Sequence, residues 1–171
     1  TEQFIRKNYQ SLMQMDRVYV LGVGSNYGTA LEGALKIGET VKVLAVGYEQ
    51  DEFLHGPALQ LAPKYTVFVI DSGDHTSEHA NKVFNGLLKV VNNTYMITPL
   101  HIDHPHILHI DDPCEEAYSC IYHLPCFQLI AEMISTDLQS KRSHPVYYEM
   151  NKVIDFRTPE FRKKHKTDED D

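Results

Sequence analysis

The sequence predicts a three-layer α/β domain, with a parallel sheet enclosed between two layers of helices. Two observations carry this. Helix and strand signals follow one another in the order α-β-α-β-β-α-β-β-α. The strand segments are continuous apolar runs, and a strand that is apolar throughout is buried on both faces, as in a parallel sheet covered by helices. A length of 171 residues, with 42% hydrophobic and 23% charged side chains, suits one such domain with its own core.

The elements are read in chain order. Residues 4–14 set Phe4, Ile5, Tyr9, Leu12 and Met13 on one helical face. Val18–Leu21 is a short β-branched run that stops at Gly22 and reads as a buried strand. Asn26–Glu39 is helical, with Leu31, Leu35 and Gly38 along one stripe and Ser25 available as its cap. Strands follow at Val41–Val46 and Tyr65–Asp71, the second closed by Asp71-Ser-Gly-Asp74. Residues 77–91 form a helix whose core face is Ala80, Val83, Phe84, Leu87, Leu88 and Val91. Short strands are expected at Thr94–Ile97 and Ile107–Ile110. A long apolar helix spans Tyr118–Leu138, kinked or split at Pro125. The domain is expected over residues 1–153, with 154–171 as a tail that ends in the charge-dense Lys163–Asp171.

Composition narrows the function classes. There are 24 acidic and 16 basic side chains, a net charge of −8, which argues against nucleic acid as a partner. No apolar run reaches the roughly 20 residues of a membrane helix, and no basic-then-apolar leader is seen. Three cysteines without CxxC spacing (Cys114, Cys120, Cys126) fit a reduced, cytoplasmic setting. Cys120 and Cys126 fall in the long apolar helix and read there as small buried hydrophobes.

Four segments could carry chemistry. The loop Gly22-Val-Gly-Ser-Asn-Tyr-Gly28 joins a strand to a helix, where backbone N–H groups and the positive helix end can cradle an anion. Gly24, Ser25 and Asn26 would then contact substrate; the other reading is a tight turn that merely needs glycine. Its GxGxxxG spacing is neither a dinucleotide fingerprint nor a P-loop. Glu32, Lys36 and Glu39 share one helical face, either as solvated ion pairs or as a working group. Glu39 ends its helix, where the macrodipole disfavours negative charge, and a carboxylate so placed can serve as a general base. His55 precedes Gly56-Pro57, which can open a short helix whose positive end favours a neutral imidazole. His101, His104, His106 and His109 complete no metal-binding spacing, and strand alternation turns His106 and His109 to opposite faces, so no metal is expected.

Leu31-Glu-Gly-Ala-Leu-Lys36-Ile-Gly-Glu39, followed by Glu52-Phe-Leu-His55-Gly-Pro57, resembles the SIS (sugar isomerase) family. It looks like the second SIS half of the isomerase domain of glutamine–fructose-6-phosphate aminotransferases and of the related fructosamine-6-phosphate deglycases. The resemblance runs from about Met15 to about Val153. It implies a flavodoxin-like, five-stranded parallel sheet, a sugar phosphate substrate, no cofactor, and a homodimer or higher oligomer. By the same resemblance, Glu39 is the base for C1–C2 proton transfer and Lys36 lies near the same carbons. His55 is implied in opening the sugar ring, from across a subunit interface. Lys152, in Pro145-Val-Tyr-Tyr-Glu-Met-Asn-Lys152, looks like the tail lysine that engages the open-chain ketose carbonyl, though seven positions from Pro145 where the aminotransferase pattern has about five; the paired tyrosines and His144-Pro145 lean toward the deglycase branch. The family's Ser/Thr-rich phosphate loop belongs to the first SIS half and has no counterpart in this sequence. The rival class is a phosphosugar-sensing or dimerisation module without catalysis.

Overall fold

The computed structural model describes residues 1–111, 116–140 and 145–154. Five strands form one sheet: β1 (Arg17–Gly22), β2 (Leu44–Glu49), β3 (Thr66–Ile70), β4 (Asn93–Thr98) and β5 (Ile107–His109). Every pairing is parallel, and the order is β2-β1-β3-β4-β5. This is the flavodoxin-like order, whose ligands sit outside the carboxyl ends of the strands. β1, β3 and β4 are buried along nearly their whole length, while β2 lies at one edge and is half-covered.

The helices are α1 (Glu2–Lys7), α2 (Tyr9–Leu12), α3 (Ser25–Val41), α4 (Gln50–Leu54), α5 (Ser77–Leu87), α6 (Cys120–Asp137) and α7 (Pro145–Asn151), with 3₁₀ turns at Pro57–Gln60 and Glu116–Tyr118. Two cores lie on opposite faces of the sheet. One gathers Ile5, Leu12, Ile37, Phe68, Tyr95 and Phe127; the other gathers Tyr19, Phe53, Val69, Phe84 and Met96. The three-layer architecture is therefore as the sequence predicts. The chain divides into two compact units, Thr1–Ser140 and Lys141–Asp171. Among the described residues no helix is long and apolar enough to cross a membrane.

Several elements depart from the sequence reading, each for a local reason. The first helix breaks at Asn8, whose buried amide donates to the Phe4 and Pro105 carbonyls and so ties the break to a distant loop. β2 begins at Leu44, because α3 continues through Val41 and Lys42 takes the left-handed conformation that caps it. The cap of α3 is Gly24 rather than Ser25. Leu31 and Leu35 are about half exposed; the buried stripe is Ala30, Gly33, Ala34, Ile37 and Val41. Small residues are needed there because α3 packs closely on α6: a Cβ on Gly33 would lie 2.7 Å from the Phe127 ring. α6 runs unbroken through Pro125, which removes one N–H from the ladder without ending the helix. Cys126 is buried in it as expected, and burial pushes its thiol pKa up. Cys114 and Lys163–Asp171 lie outside the described residues.

Candidate functional site

The loop after β1 is built by its first two glycines. Gly24 has φ of 56°, in the left-handed region open to glycine. A Cβ on Gly22 would stand 2.1 Å from the Asn26 carbonyl oxygen, so the loop folds tightly back on the strand end. The Asn26 and Tyr27 N–H groups return to the Val23 and Gly24 carbonyls. Asn26 is turned fully inward. Its amide donates to Ser72 Oγ (2.9 Å) and Ser119 Oγ (2.7 Å), and its Oδ1 meets Thr29 Oγ1 (3.0 Å) and His123 Nδ1 (3.1 Å). Asn26 thus pins the loop to β3 and α6, while Gly24 is exposed and Ser25 partly so. No motif reveals this network, because its members come from three separate segments, α3, the end of β3 and the start of α6.

At the other end of α3, Lys36 Nζ lies 3.0 Å from Glu39 Oε2 and 3.3 Å from Glu32 Oε1. These hydrogen bonds, Glu39 first and then Glu32, raise the Lys36 pKa above its ordinary value. Glu39 is half exposed and so open to a ligand. The residues that the helical spacing predicts to project together do so.

His55 stands at the opposite end of β2. Glu49 ends that strand and caps α4, its carboxylate accepting from the Asp51 and Glu52 N–H groups at 2.7 and 3.0 Å. His55 is the C-cap of α4 and also precedes the turn that Pro57 opens behind Gly56, as expected. Its Nδ1 lies 2.7 Å from the Asp51 carbonyl oxygen. A carbonyl only accepts, so Nδ1 carries a hydrogen and Nε2 is the ring nitrogen left without a partner among the described hydrogen bonds. Asp51 also receives His79 Nε2 at 2.7 Å, which ties α4 to α5.

The structure thus separates the predicted residues into groups. Gly24, Ser25, Asn26 and His55 share the carboxyl rim of adjacent strands. Lys36 and Glu39 lie at the amino edge, where α3 ends and β2 begins. Six residues of β2 span about 20 Å between them. A hexose phosphate is too short to touch Ser25 and Glu39 of one chain, which the rise of α3 also sets about 20 Å apart. Lys152 belongs to the Lys141–Asp171 unit, where it is exposed, pairs with Glu149 at 2.8 Å and lies over the Tyr148 ring.

The four histidines from the loop after β4 to the end of β5 do not meet at one point but form two pairs. His104 and His106 pack edge-to-face against each other, and His106 lies against Tyr95. His101 and His109 bring their rings to 3.8 Å. Alternation along β5 governs only residues of that strand, whereas His101 arrives from the loop after β4.

The SIS domain family model matches residues 11–102, more than half of the chain. The chain belongs to the SIS domain family. Among curated proteins, this SIS chain is 29% identical over 144 residues to the glutamine–fructose-6-phosphate aminotransferase of Bartonella henselae, covering 78% of the chain and 24% of that enzyme. It is 36% identical over 87 residues to aminotransferase 1 of Rattus norvegicus, covering 51% of the chain and 12% of that enzyme. The chain therefore spans a quarter or less of these relatives. Among solved structures, it superposes on a Clostridium difficile 630 protein assigned as a phosphosugar isomerase, with TM-score 0.77 and 26% identity, over 95% of this chain and 43% of the other. The C-terminal domain of the Francisella tularensis glucosamine–fructose-6-phosphate aminotransferase shares the fold at TM-score 0.64 and 18% identity, over 79% and 40% of the two chains.

Proposed function

We propose that this SIS domain supplies the proton-transfer groups of a phosphosugar isomerase, aminotransferase or deglycase. Its substrate class is fructose 6-phosphate or a fructosamine 6-phosphate. The observation that carries the reading is the pairing of Lys36 with Glu39 on an open helix end, at the far end of β2 from His55. Glu39 takes the C1 proton of the open-chain ketose and returns it to C2 through an enediolate. Lys36, held protonated by its two carboxylate partners, neutralises charge as it develops on the enediolate oxygen. The role of engaging the ketose carbonyl is assigned to Lys152 of the C-terminal segment on the resemblance of that segment alone.

His55 opens the sugar ring by moving the hydroxyl proton through its Nε2. It cannot reach the Glu39 of its own chain, so the carboxyl rim of one copy faces the α3 end of another. Each site then draws on two chains, in a homodimer or larger assembly of cytoplasmic enzyme. The rim that brings His55 also brings the exposed Gly24 and the half-buried Ser25 as anion-binding candidates, with Asn26 buried beneath them holding the loop. A sensing or dimerisation module leaves the ordered Lys36–Glu39 pair and the oriented His55 without a task. The test is a proton-exchange assay: the complete protein, given fructose 6-phosphate in heavy water, incorporates deuterium at C1. Absence of exchange together with undiminished sugar binding would favour the sensing module.

A further inference from the structure

The His101–His109 pair lies outside the sugar-processing residues, and its surroundings point to a use of its own. His101 follows β4 in the loop at the carboxyl rim, and His109 closes β5, the edge strand beside it. Their rings are 3.8 Å apart at 30°. Asp111 brings Oδ1 to 3.1 Å from His109 Nε2, and one ligating atom from each of the three residues lies within 4.8 Å of the others.

The proton count at His109 is the telling feature. Its Nδ1 faces the Leu100 carbonyl oxygen at 3.3 Å, and its Nε2 faces the Asp111 carboxylate. Both partners only accept, yet a neutral imidazole has a single N–H. With Nδ1–H directed to the carbonyl, the space between Nε2 and the carboxylate oxygen calls for positive charge, either a second ring proton or a metal ion. An ion about 2.1 Å from each donor, with about 95° between the bonds, leaves the donors about 3.1 Å apart. An imidazole whose second nitrogen donates to a backbone carbonyl also has the usual support of a metal-bound histidine.

We propose that His101, His109 and Asp111 form a binding site for a divalent transition-metal ion, Zn²⁺ foremost. Two imidazoles and one carboxylate suit Zn²⁺ and its first-row neighbours better than Mg²⁺ or Ca²⁺, which call for oxygen donors. Three protein donors leave at least one coordination position for water. The site lies four strand steps, about 19 Å, from β2 along the sheet. It is therefore separate from Glu39 and His55. Its effect is to clamp the loop after β4 to the end of the three-residue edge strand β5.

The test titrates the metal-free chain with Zn²⁺ by calorimetry and with Co²⁺ by visible absorption, at neutral pH. The expected result is one ion per chain in the micromolar range, ligand-field bands of nitrogen- and oxygen-bound Co²⁺, and a raised thermal midpoint with Zn²⁺. His109→Gln and Asp111→Asn each weaken Zn²⁺ binding by about tenfold or more. His75→Ala removes another exposed histidine set beside an aspartate, 3.6 Å from Asp74, and leaves binding unchanged. The proposal is overturned if no saturable one-to-one binding appears, or if His109→Gln binds as the unaltered chain does. It is equally overturned if His75→Ala weakens binding as much as His109→Gln. All the substituted side chains lie toward the surface, and far-ultraviolet circular dichroism verifies that each variant is folded.

Discussion

Lys36 keeps the Glu39 carboxylate beside its ammonium at 3.0 Å on an exposed helix end, and in the proposed reaction the sugar meets both groups there. Glu39→Gln keeps the shape and removes the base, so turnover in the complete protein falls by about 10²–10⁴-fold while sugar binding changes little. Steady-state kinetics beside binding calorimetry check this, and unaltered turnover would remove Glu39 from the reaction. Asn26 works differently. Its amide joins side chains from β3's end, α3 and α6, so Asn26→Ala leaves Ser119 and His123 to find other partners in a buried place. We expect a loss of about 2–4 kcal/mol in denaturant unfolding. The shared helix face of Lys36 and Glu39 and the place of His55 before a Gly-Pro turn were legible in the sequence because both are local facts, while the roles proposed for them rest on the resemblance. Asn26 was legible only as a loop residue, since Ser119 and His123 lie 93 and 97 positions away.

Among the elements, α3 shows what a hydrophobicity pattern misses. Its leucines attract attention, but the face that meets β1, β2 and α6 is lined by small residues, which allow the close approach. Gly33→Ala forces a methyl group onto Phe127 and costs about 1–3 kcal/mol. Gly28→Ala, in the same helix with nothing within 4 Å of the added atom, is neutral or stabilising by up to about 1 kcal/mol. Equal denaturation midpoints for the two variants would refute this packing. β2 was read three residues early for a related reason: Val41 and Val43 look like strand, but the left-handed Lys42 between them ends the helix. The segment between β4 and β5 carries a pH dependence. Burial, and then the charge of His104, lower the His106 pKa from its ordinary value. The folded state therefore resists protonating His106 more than the unfolded chain does. The stability this contributes is full above about pH 6.5 and is lost as pH falls toward the lowered value. In chelator-containing buffer, thermal midpoints of the unaltered chain fall more steeply below that pH than those of His106→Asn; parallel curves would contradict it.

For the molecule as a whole, the sheet was the most legible feature. Continuous apolar runs can only be buried on both faces, and that condition alone selects helices on each side. The separation of Glu39 from His55 was not legible from spacing, because the two are sixteen positions apart in sequence yet stand at opposite ends of β2. Only the parallel topology shows that one chain cannot bring them to one sugar. The 171-residue chain is expected to fold, to bind phosphosugars weakly and to turn over none. Its β1 loop is bonded largely to itself and lacks a Ser/Thr-rich phosphate cradle. The most direct test of the shared site is complementation between two inactive variants of the complete protein, Glu39→Gln and His55→Asn. Reassembled together, half of the dimers hold one site with both groups intact, so about a quarter of the unaltered activity returns. Activity no greater than the sum of the two separate variants would contradict the account.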